Sequence, residues 1–181
     1  MRVKRLFDSK DLVLMATFGC LSSLATLTTA LIPAPLPGLY GVIAVPIGTI
    51  FILMVKEIVG KIGAATFTQL ISGILSTFLP GGPPVKFIVI PTWVIGGIVI
   101  DLFFYATRHF QRSRAFYGLV GSTYNIPGDF LLYWAFKAFL SWAWPLPFFL
   151  YGFLAIHAVL AGMAAIFMPN IINRIRPIIS Q

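Results

Sequence analysis

The stretch LVLMATFGCLSSLATLTTALI, residues 12–32, contains 21 residues and not one charge. At a rise of about 1.5 Å per residue it makes a helix about 30 Å long, the thickness of a bilayer's hydrocarbon core. The rest of the chain repeats the theme. Of its 181 residues 59% are hydrophobic and 10% charged, where a soluble domain carries about a quarter charged residues. The mean hydropathy is +0.94. So much apolar surface does not fit inside one water-facing globule, and the fold class read from it is an all-α integral membrane protein.

Working outward, six apolar stretches alternate with short breaks: residues 12–32, 39–59, 62–79, 87–107, 116–140 and 146–168. The breaks are PAPLPG, PGGPP, RHFQRSR and SWAWPLP, rich in proline and glycine or in basic residues. No repeat, low-complexity tract or soluble domain interrupts the pattern, so one six-helix domain fills residues 1–181. The Lys and Arg residues test the count. With the N-terminus in the cytoplasm, eleven fall on inner segments: Arg2, Lys4, Arg5, Lys10, Lys56, Lys61, Arg108, Arg112, Arg114, Arg174 and Arg176. Two, Lys86 and Lys137, fall outside. That asymmetry follows the positive-inside rule and predicts six spans in the cell membrane with both termini cytoplasmic. The basic start, MRVKRLFDSK, precedes a full-length apolar run without a clear cleavage site, so it reads as a cytoplasmic segment ahead of the first span rather than a cleaved leader.

The net charge of +8 does not point to nucleic acid, because the basic residues are scattered in short clusters and no nucleic-acid motif accompanies them. The single Cys20 excludes an internal disulfide and a cysteine zinc site. No metal or cofactor motif is present. There is no GxxxxGK[ST] loop, no HExxH, no GxSxG and no Arg-rich span, so ATP hydrolysis, other enzymatic chemistry and voltage sensing are not expected of this chain.

Polar residues inside spans carry the functional reading. A carboxylate near the bilayer centre costs about 2.5–3.5 kcal/mol on insertion scales and needs a partner or a water-filled cavity. In YNIPGDFLLYW, residues 124–134, Asn125, Asp129 and Tyr133 are spaced i, i+4, i+8 and predict one polar helix face. Pro127 frees a carbonyl nearby and Gly128 permits close approach. Two readings follow: a protein-lined pocket, or a kink with Asp129 bonded to a neighbouring helix.

Gln69 lies mid-span beside Thr66, Ser72 and Ser76; small hydroxyl residues there serve helix packing, and the larger amide is a candidate ligand contact. Trp93 lies on a ridge with Gly97, Asp101 and Tyr105, either as an interfacial anchor or as a stacking wall. Asp101, nearer the cytoplasmic end, reads as the partner of Arg108 or another inner cation. His157, on a face with Phe149 and Phe153, reads as a helix–helix hydrogen bonder or a pocket residue. Ala16, Gly19, Cys20 and Ser23 form a small-residue face for internal packing or for docking a separate membrane subunit.

Six short spans, stiff outer loops and the small-residue first span resemble the substrate-binding S-component of an energy-coupling factor vitamin importer. The thiamine/hydroxymethylpyrimidine type is nearest. The resemblance rests on LYG at residues 39–41, KIGAATFTQLISGILSTFLPGGPP at 61–84, DLFFYATR at 101–108 and GST at 121–123. It departs where the family carries glutamates on the third and fourth spans, since Gln69 and Asp101 stand there.

What the resemblance implies is a vitamin-like substrate bound in an outer-half cavity. It also implies docking through the first-span face onto a membrane coupling subunit driven by two cytoplasmic ATPases. Tyr40, Gln69, Trp93, Asn125, Asp129, Tyr133 and His157 are the candidate substrate residues, and a carboxylate beside aromatic faces favours a heteroaromatic cation. The competing readings are a self-sufficient homo-oligomeric transporter or channel, and a ligand-free scaffold subunit.

Overall fold

The computed structural model describes residues 6–31, 41–108, 113–142 and 144–179, and every regular element in them is helical. Helix α1, Ser9–Ala25, begins with a reciprocal cap. The Asp8 carboxylate accepts from the Asp11 amide at 2.8 Å and the Asp11 carboxylate accepts from the Asp8 amide at 3.0 Å. This cap satisfies two orphan donors and starts the helix three residues before the uncharged stretch.

The first apolar stretch does not run unbroken to its end. It is interrupted at Thr26 and Leu27 before a short α2, Thr28–Leu31. Thr26, Thr28 and Thr29 each donate a hydroxyl hydrogen bond to the carbonyl three residues back, at 2.6 Å in every case. Such back-bonds compete with the helical ladder.

Next come α3, Ala44–Val59, and α4, Ala64–Phe78, then α5, Lys86–Ala106, which contains Pro91. The stretch expected as one fifth span divides into α6, Arg114–Thr123, and α7, Ile126–Phe139. Pro127 near the start of α7 removes the donor for the Thr123 carbonyl, which accounts for the division. After α8, Leu146–Phe148, the chain widens into a π-helical turn, Phe149–Leu154, and continues as α9, Ala155–Ile166, and α10, Met168–Ile179.

Among the described residues three stretches are long and apolar enough to cross a membrane: Ser9–Ala30, Lys86–Ala106 and Leu146–Ile175. The other expected spans are helical but shorter or divided; α3 has 16 residues, α4 has 15, and α6 and α7 have 10 and 14.

The most extensive seam joins α4 and α5, antiparallel neighbours across the PGGPP connection. A Cβ added at Gly97 would lie 2.6 Å from the Thr66 Cα, which is backbone and cannot step aside. Gly97→Ala is therefore expected to destabilise the fold by about 1–3 kcal/mol through overpacking, read as a lowered unfolding midpoint in detergent. An unchanged midpoint would show that the seam is looser than this.

A second seam joins α6 and α9. The core between the seams includes Ile52, Leu53, Ile100, Phe104, Tyr117 and Val120.

One end of the bundle gathers charge. Lys56 and Asp101, only 3% and 5% exposed, form an ion pair at 2.6 Å. The Lys56 ammonium also donates to the Lys61 carbonyl at 2.8 Å. The other Asp101 oxygen accepts from the Thr66 amide at 2.9 Å and its hydroxyl at 2.7 Å. Asp101 thus takes another inner cation, one of the two partners its position allowed. Beside it the Tyr117 hydroxyl donates to Glu57 at 2.5 Å, and Lys61 pairs with Asp11. This network ties α3, α4, α5 and α6 together at one level.

Candidate functional site

At the end of the bundle opposite the Lys56–Asp101 pair, three departures from regular helix and one proline within a helix meet around one cavity. The departures are the α1–α2 break, the α6–α7 break and the π-helical turn, and the proline is Pro91 of the continuous α5. Each delivers lining residues: Thr26 and Thr29, Thr92 and Trp93, Asn125 and Asp129, and Phe153 and His157. In an apolar helical protein irregular backbone is tolerated where it faces protein or a cavity, and π-turns gather at functional sites.

The centre of the cavity is a dyad. His157 Nδ1 lies 3.3 Å from each Asp129 carboxylate oxygen, and the two residues are 4% and 5% exposed. The Phe153 ring lies 4.1 Å from the imidazole, centroid to centroid. On the far side of that imidazole sits Gly41, where φ is +87° and a Cβ would come within 3.0 Å of His157 Nε2. The backbone angle favours glycine there, and a Cβ would crowd the imidazole.

Close approach of α7 to α5 sets the other wall. A Cβ at Gly128 would meet the Thr92 carbonyl at 2.7 Å. Thr92 Oγ1 is buried there without a hydrogen-bond partner. A buried hydroxyl left unpaired costs about 1–3 kcal/mol, so a polar group arriving in the cavity finds a waiting partner. The void itself is about 70 Å³, room for about two waters.

Of the residues singled out from the sequence, Trp93, Asn125, Asp129 and His157 come together here. Asp129 lines the cavity and also bonds to a neighbouring helix. Tyr133 does not join them. Eight residues turn an α-helix about 80° past two full turns, which carries Tyr133 off the Asn125–Asp129 face. Its hydroxyl donates to the Trp144 carbonyl at 3.1 Å and its ring stacks on Phe149 at 4.5 Å. Gln69 is buried in α4 and is not among the residues lining this cavity. Tyr40 lies outside the described residues.

The small-residue face of α1 divides. Gly19 and Ser23 turn inward, and a Cβ at Gly19 would lie 2.9 Å from the Thr68 carbonyl of α4. Cys20 is exposed and Ala16 half-buried. Gly19 and Ser23 thus serve internal packing and present no surface to a docking subunit.

Thr26, Thr29 and Thr92 do not stand out in the sequence as site residues. The cluster TLTT at residues 26–29 is the available signal, because threonines in series compete with the helix they sit in. Among the described residues no cluster of three or more His, Cys, Asp or Glu is placed to hold a metal ion. Comparison of the chain with protein-family models, with curated proteins and with solved structures finds no match.

Proposed function

We propose that the chain is the substrate-binding membrane subunit of an energy-coupling factor importer. Its substrate is a vitamin or vitamin precursor, thiamine or a related heteroaromatic compound. The convergence of three helix irregularities and the Pro91 turn of α5 on the Asp129–His157 cavity carries this reading. Broken helices that aim backbone and polar side chains at one point are how membrane transport proteins build substrate sites.

In this reading six spans cross the cell membrane with both termini in the cytoplasm. The Lys56–Asp101 end faces inward and the cavity opens outward. Trp93 and Phe153 line the cavity with aromatic surface, Asn125 and Thr92 offer hydrogen bonds, and Asp129 offers charge. The chain performs no hydrolysis; a separate membrane coupling subunit and two cytoplasmic ATPases drive the cycle. With Gly19 packed on α4 and Ser23 buried, the coupling subunit meets other surfaces of the bundle. Small-molecule sites begin at about 300 Å³, so the substrate enters by parting the dyad and widening a void of about 70 Å³.

The dyad itself favours a second reading, a ligand-free scaffold whose polar residues join helices. Native mass spectrometry of the gently purified protein separates the two. A retained small molecule of a few hundred daltons is expected, lost on Trp93→Ala together with Asn125→Ala. A bare chain that also fails to bind added thiamine or its analogues supports the scaffold.

A further inference from the structure

We infer that a cationic ligand and a proton compete for the Asp129 carboxylate, so that each cation bound expels one proton from the Asp129–His157 pair. This deepens the proposed binding role and rests on it. Asp129 and His157 are the titratable side chains among the described residues lining the cavity. Both are buried, and His157 Nδ1 is equidistant, at 3.3 Å, from the two carboxylate oxygens.

Among the described residues, the elements packed around them bring one other charge near this level, Lys86 of α5, six residues or about 9 Å from Thr92, whose ammonium donates to the Leu79 and Gly81 carbonyls beside Gly82 of the cavity wall. On α3, Lys56 and Glu57 are engaged with Asp101 and Tyr117, and Lys56 lies eleven residues, about 16 Å, beyond Val45 of the cavity wall. On α7, Lys137 is exposed and eight residues, about 12 Å, from Asp129. Arg114 of α6 reaches Asn170 of α10, where Arg174 is exposed. Tyr124, between α6 and α7, shares its hydroxyl with Thr49 at 2.9 Å.

In that setting the pair holds one proton. With none, a bare carboxylate is buried; with two, an imidazolium is buried beside a neutral acid. With one, the site is net neutral whichever partner carries the proton. A cation that takes the carboxylate brings a second positive charge into the same low-dielectric space. Neutrality returns when the shared N–H or O–H bond breaks and the proton leaves to water. No covalent bond forms to the ligand, and the charge of the site is conserved by the exchange. The aromatic surface of Trp93 and Phe153 holds the arriving cation. A neutral ring entering the same space displaces no proton.

The sign follows by mass action. Raising the pH removes the competing proton, so cation affinity rises, by about tenfold per pH unit while the pair remains protonated. The test is calorimetric titration of the intact protein in lipid nanodiscs. The probes are thiamine, a thiazolium cation, and thiochrome, its neutral cyclised derivative. Titrations run from about pH 6 to about pH 8, the range where histidine changes charge. Each is repeated in buffers of different ionisation enthalpy, which counts protons without any substitution. Close to one proton released per thiamine and none per thiochrome is the expected result. Thiamine binding with no proton released overturns the exchange and leaves the binding role intact. The same release with both probes assigns the proton to the fold and also overturns it. If thiochrome does not bind, the thiamine count alone decides. Binding of neither probe at any pH sinks the binding role and the exchange together.

Discussion

Asp101→Asn is expected to destabilise the protein by about 3–5 kcal/mol, a large loss for so conservative a change. The reason is the partner left behind. Lys56 is 3% exposed, and its ammonium sits 2.6 Å from the Asp101 oxygen. Asparagine keeps the shape and still accepts from Thr66, so the hydrogen bonds at 2.9 and 2.7 Å survive. What it removes is the charge that balances a buried cation. The Lys61 carbonyl and the face of the Phe104 ring, 5.6 Å away, then remain beside the ammonium. Lys56→Met in the same background removes the orphaned charge, so the double variant is expected to be more stable than Asp101→Asn alone. Thermal or denaturant unfolding in detergent measures both, and a double-substitution cycle isolates the coupling. Additive losses would show that the pair contributes nothing beyond its separate members.

Legibility in the sequence differs by level. Helical class is legible because uncharged runs such as residues 12–32 have one comfortable conformation in hydrocarbon. The divide between α6 and α7 is foreshadowed by Pro127, whose missing donor is a local property of one residue. The π-helical turn at Phe149–Leu154 is not foreshadowed. FLYGFL has no residue that demands a wider backbone turn; packing of its aromatic rings against Tyr133, Phe130 and Trp144 selects it. The break at Thr26 lies in between, since threonine permits back-bonding without compelling it.

The site shows the same division. Asp129 and His157 stand out singly because buried ionisable groups need compensation. Their pairing across 28 positions does not, because no periodic pattern relates residues on different helices. Lys56 and Asp101, 45 positions apart, are obscured in the same way: each has several chemically reasonable partners. Tyr133 misleads, and Gly19 stays open between its two readings, for a geometric reason. Helical spacing tells which residues share a face, and an i+8 separation already drifts off it. It does not tell which neighbour that face meets, and for Gly19 the neighbour is α4.

Asp129→Asn separates charge from shape at the cavity. Asparagine can still accept from the His157 ring through its remaining oxygen, so the dyad's geometry at 3.3 Å is retained while the negative charge is lost. If the cavity holds a cation beside Trp93 and Phe153, the carboxylate supplies the dominant attraction, because few other groups at this level are ionised. Thiamine affinity is then expected to fall by about a hundredfold or more, equivalent to about 2.7 kcal/mol. Thiochrome, of similar ring area and no charge, is expected to lose less than about fivefold. A common loss for both ligands would mean that Asp129 acts by holding His157 and α7 in place, and the preference for a cation would have to be abandoned. Retained thiamine affinity with lost thiochrome affinity would reverse the assignment and mark the amide of Asn125 and the Thr92 hydroxyl as the groups that select the substrate. The contrast between the two ligands therefore matters more than either value alone, since misfolding lowers both while only the removal of a charge discriminates between them.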